Sequence, residues 1–77
     1  MGDAQRQKEL LERALAIKEA HYGPDHVQTA LTICHLGLAY GALGEGETKV
    51  LLLRRALTIF QLHGHPHAAM CQRLLDG

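Results

Sequence analysis

Leu10-Leu11-Glu12-Arg13-Ala14-Leu15-Ala16-Ile17 returns, 42 positions later, as Leu52-Leu53-Arg54-Arg55-Ala56-Leu57-Thr58-Ile59. In the same register, Gly2 falls on Gly44, His21 on His63 and Pro24 on Pro66, which makes nine ungapped identities in the first twenty-four positions. Two leucine-rich helices share a few residues by chance, but not the Gly and the Pro at both ends. A period of this size signals stacked supersecondary units that bury their apolar faces against one another. After Pro66 the register slips by three, and His65-Pro66-His67-Ala68-Ala69-Met70 reads best against His26-Val27-Gln28-Thr29-Ala30-Leu31.

Each unit reads as helix. Over 3–21, Leu10, Leu11, Ala14, Leu15, Ile17 and Ala20 follow the three-and-four spacing of one face, with Gln7, Lys8, Glu12, Arg13 and Lys18 opposite. Gly23-Pro24-Asp25 stops this helix, and the spacing predicts Asp25 as the next N-cap with Gln28 completing a capping box. The second helix runs to about Leu43 with Ala30, Ile33, Cys34, Leu36, Gly37 and Tyr40 inward. A third, about 45–63, turns Val50, Leu52, Leu53, Ala56, Leu57, Ile59 and Phe60 toward the core, and Pro66 opens a last helix over 67–75. No segment alternates with period two, so the expected fold is all-α, with about four helices in antiparallel helix-turn-helix repeats.

Composition bounds the rest. Seventy-seven residues form one small domain, and eight Lys+Arg balance eight Asp+Glu, which argues against a nucleic-acid partner. With three aromatics (Tyr22, Tyr40, Phe60) and no Trp, the core has to come from Leu, Ile and Ala. The longest apolar run, Val50-Leu51-Leu52-Leu53, is far short of the roughly 20 residues of a membrane span, so no membrane association is expected. Cys34 and Cys71 lack CxxC spacing and read as buried, reduced thiols of a cytoplasmic protein.

The spacing also resembles a known family. His35-Leu36-Gly37-Leu38-Ala39-Tyr40, Leu43-Gly44-Glu45 and Leu53-Arg54-Arg55-Ala56-Leu57-Thr58-Ile59 look like a tetratricopeptide repeat. The 42-residue period and the Tyr22-Gly23-Pro24-Asp25-His26 linker resemble its long, kinesin-light-chain-like subtype. The resemblance implies an α-solenoid fragment in which residues 3–21 are the second helix of a pair, 26–63 one complete pair and 67–75 a truncated first helix. It further implies structural roles for Leu36, Gly37, Tyr40, Ala56, Pro24 and Pro66, with Gly37 allowing close helix approach and Ala56 fitting a tight contact with the next unit.

Candidate chemistry is thin. His63-x-His65-x-His67 invites a metal reading, but all three lie in one turn, whereas zinc needs ligands converging from a fixed scaffold. His63 repeats His21 and His65 repeats His26, which favours linker roles, so no metal and no cofactor are expected. Cys34 and His35 are helical neighbours that point about 100° apart, not a nucleophile–base pair. Gly41-Ala42-Leu43-Gly44-Glu45-Gly46 lacks the Lys and Ser/Thr of a phosphate loop.

The expected function is therefore non-enzymatic: a protein-interaction module that binds a peptide or partner protein through helix faces. By the resemblance, the first helix of the pair lines a groove, with Gln28, Thr32, His35 and Ala39 on one stripe as its partner-facing positions. The alternative is a self-assembling unit without a separate ligand. Leu10, Leu11, Leu15 and Ile17 are expected to be only partly covered, and Met70, Leu74 and Leu75 sit on a short final helix. Exposed apolar faces of that kind predict a homodimer or larger, or packing against neighbouring repeats of a longer chain.

Overall fold

Three-and-four apolar spacing, interrupted by Gly and Pro, yields four α-helices in a computed structural model that describes residues 2–77; Met1 lies outside the described residues. They are α1 (Asp3–Tyr22), α2 (Val27–Ala42), α3 (Gly46–Leu62) and α4 (His67–Asp76). Successive helices pack on one another, α1 on α2, α2 on α3 and α3 on α4. The expected all-α fold of about four antiparallel helices is therefore the observed one, with no strand among the described residues.

The stack is a slab of 37 × 31 × 16 Å, too thin for more than one apolar seam. That seam joins Ala30, Ile33 and Cys34 of α2, Leu53, Ala56, Ile59 and Phe60 of α3, and Cys71 of α4. Phe60, with no exposed surface, is its largest member. Gly37 lets α2 and α3 close together, since a Cβ there would lie 3.3 Å from Leu52 Cβ and 3.4 Å from the Lys49 carbonyl oxygen. Ala56 is fully buried within the stack itself.

Two expectations about faces need correction. Val50 was expected to point inward but stands 36% exposed, because Leu53, Ala56 and Phe60 already occupy the side that meets α2 and α4. Tyr40 is half-buried at the rim, where its hydroxyl donates to Glu12 Oε2 at 3.0 Å.

The linkers also differ from expectation in one respect. Asp25 does not cap α2. His26 does, in an extended conformation, with Nδ1 accepting the Gln28 N–H at 3.0 Å. An imidazole nitrogen two residues ahead of the donor offers the same acceptor that an Asp or Ser cap offers. The repeat reproduces this device: His65 Nδ1 accepts the His67 N–H at 3.1 Å. His63 ties the linkers together, donating from Nε2 to the Asp25 carbonyl at 2.8 Å.

Candidate protein-interaction face

Between α1 and α2 runs an open, mainly apolar groove of about 470 Å³. Gln7, Leu10 and Leu11 of α1 form one wall, and His35, Leu38 and Ala39 of α2 the other. The volume takes several side chains at once and falls in the range of binding clefts. Tyr40 closes one rim: besides its bond to Glu12, it carries Lys8 Nζ 5.3 Å from its ring centroid. The Glu12 carboxylate raises the Tyr40 phenol above its ordinary value, mainly by accepting its hydrogen bond.

The four stripe residues foreseen on α2 do not all reach this groove. His35 is exposed on its wall and Ala39 is a buried part of it. Thr32 is only 7% exposed, and its hydroxyl donates to the Gln28 carbonyl at 3.4 Å, so it offers a ligand nothing. Gln28 is half-buried beside the His26 cap. The expectation that Thr32 is available on a partner-facing stripe is thus corrected: α2 lies between α1 and α3, and most of its circumference is covered. Gln7, Leu10 and Leu11 were not among the expected site residues, although α1 was expected to be only partly covered. Leu10 is 55% and Ile17 68% exposed, while Leu11 and Leu15 are half-buried.

The remaining candidates acquire structural roles. His65 and His67 lie 5.1 and 5.5 Å from the Phe60 ring, covering the end of the seam. Among the described residues, no three His, Cys, Asp or Glu side chains converge on a point that could hold a metal ion. Cys34 and Cys71 face each other inside the seam, and burial chiefly, then the neighbouring thiol, pushes Cys34 up to about 12. Burial raises Cys71 as well. Protonated thiols at neutral pH are poor nucleophiles and poor metal ligands. Arg55 pairs with Glu19 at 2.9 Å, joining α3 to α1 on the half-exposed side of the stack. No described helix is long and apolar enough to cross a membrane.

Comparison with known proteins adds one finding. No curated protein and no solved structure matches the chain. A sequence model of the family described as Tetratricopeptide repeat matches residues 1–28, which span α1, the first linker and the start of α2. The helix-turn-helix stack and the 42-residue repetition agree with that match, so the chain is similar to the tetratricopeptide-repeat family over this first part of its length.

Proposed function

We propose that the chain is a non-enzymatic protein-interaction module that receives a partner protein or peptide in the groove between α1 and α2. The observation that carries this reading is the groove itself: an apolar channel walled by Leu10, Leu11, Leu38 and Ala39, with His35 and Gln7 as polar groups at its edge. The family match over residues 1–28 supports the same class of function, since these repeats generally serve protein–protein contacts. His35 would hydrogen-bond the partner, and the leucines would supply its apolar contact area. Roughly 25 cal/mol is gained per Å² of such area removed from water.

The test uses surface variants that spare the fold. Leu10→Glu and Leu38→Glu alter exposed residues of the groove, and Leu51→Glu alters a still more exposed leucine away from it. Partners captured by the unmodified chain should be lost with the first two and kept with the third, at unchanged melting temperature. Equal recovery with all three would contradict the reading. A second reading, self-assembly without a separate ligand, draws on the same exposed Leu10 and Ile17 and predicts that Ile17→Lys dissolves dimers in sedimentation equilibrium.

A further inference from the structure

The chain holds one helix twice, in two different surroundings. Leu53, Ala56 and Ile59 of α3 are 0%, 0% and 3% exposed. Their counterparts 42 positions earlier are Leu11 and Ala14, both half-buried, and Ile17, which is 68% exposed. Leu52 is half-buried, whereas its counterpart Leu10 is 55% exposed. The side chains are the same, so the difference lies in what covers them. Helix α3 is held between α2 and α4, whereas α1 packs chiefly on α2. In the repeat, α2 stands to α1 as α4 stands to α3. Among the described residues, nothing stands to α1 as α2 stands to α3.

The shape of that missing element can be read from the α2–α3 contact. There Gly37 sits against Leu52, Leu53 and the Lys49 backbone. The counterparts of Lys49, Leu52 and Leu53 are Gln7, Leu10 and Leu11, the three α1 residues that wall the open groove. The seat that Gly37 fills on α3 is therefore present, and open, on α1. Neither α2 nor α4 of a second folded copy offers a face to match it. Its α2 is already covered by α1 and α3. Its α4, in register with α2 at the His65–His26 correspondence, places Gln72, Arg73 and Asp76 where α2 has Ile33, Cys34 and Gly37. All three are exposed, and Gln72 Nε2 donates to Asp76 Oδ1 at 3.0 Å.

We propose that the outer face of α1 is a seat for a partner α-helix carrying the small-residue stripe that α2 shows to α3: Ala at the Ala30 position, an aliphatic residue at Ile33, and Gly or Ala at Gly37 and Gly41. The proposal rests on the reading of the groove as a partner site and names the occupant's chemistry. Small residues let the two backbones approach, while Leu10, Leu11 and Ile17 flank the contact as Leu52, Leu53 and Ile59 do in the copy.

The probe is a fluorescein-labelled peptide of the sequence 27–42, titrated with the intact chain and read by anisotropy. Binding should saturate and weaken at least about ten-fold with chain Ile17→Lys, the change expected when a charge replaces an apolar contact. It should weaken similarly with peptide Gly37→Leu and stay unchanged with chain Leu51→Lys. A third peptide carries Thr32→Pro and cannot complete a helix. If it binds as tightly as the parent and remains sensitive to Leu10→Glu, the groove stands as a partner site but the helical occupant is wrong. No saturable binding of the parent peptide, or sensitivity to Leu51→Lys instead of Ile17→Lys, overturns the seat. Chains that pair through Ile17, in pairs the peptide does not break, would make a second copy the occupant and equally overturn the proposal.

Discussion

Gly37 and His26 are single residues on which this stack turns, for opposite reasons. At Gly37 the absent side chain matters, because a Cβ would already meet Leu52 at 3.3 Å and Leu53 at 3.5 Å. Gly37→Ala adds one methyl and regains helix propensity, so it should be close to neutral. Gly37→Leu must separate α2 from α3, and overpacking of this kind costs about 1–3 kcal/mol. Urea midpoints of the two variants check both statements. At His26 it is the side chain that matters, as the acceptor that caps α2. His26→Ala should cost about 1 kcal/mol, and His26→Ser should recover most of it, since both Ser and Asp satisfy the same amide. The Cys34 thiol gives a pH signature. Its folded value of about 12 lies above the ordinary 9.0, so its contribution is complete below pH 9 and is lost as pH rises through 9 toward 12. Melting temperature should fall across that window, and less steeply in Cys34→Val. In the native chain at pH 8, neither thiol should react with a disulfide reagent until the chain unfolds.

Among the elements, α1 and α3 form a natural control experiment, two copies of one pattern in different surroundings. Ile59→Ala removes a side chain that is 3% exposed and should cost about 2–5 kcal/mol. Ile17→Ala, at the repeat counterpart, removes one that is 68% exposed and should stay within about 0.5 kcal/mol. Chemical denaturation of the pair decides whether the difference in covering is real. Removing the Glu19–Arg55 bridge should change stability by less than about 1 kcal/mol, as both side chains are partly exposed. The existence and type of the helices were legible because period and punctuation are local properties of the chain. The residue that caps α2 was not, because Asp25 and His26 both carry suitable acceptors and only the linker's backbone path selects between them. Val50 failed for a different reason: it extends an apolar run on α3, and nothing local says that the side facing α2 and α4 is already full.

As a whole molecule the chain is a thin stack with unequal ends. One end exposes apolar side chains of α1, and the other turns Gln72, Arg73 and Asp76 of α4 to water. The exposed α1 face is legible from the number of helices, whereas the expected partner stripe falls on Gln28, Thr32, His35 and Ala39. That Gln7, Leu10 and Leu11 stand alongside His35, Leu38 and Ala39 is not legible locally, because the juxtaposition depends on how two helices cross. The exposed face of α1 is proposed as an open helix seat. Backbone amide chemical-shift mapping of the isotope-labelled chain, titrated with the unlabelled 27–42 peptide, tests it most directly. Shifts should concentrate on α1 from Gln7 to Ile17 and on α2 from His35 to Ala39. Shifts centred on Val50, Leu51 and Met70, or spread evenly over all four helices, would contradict it.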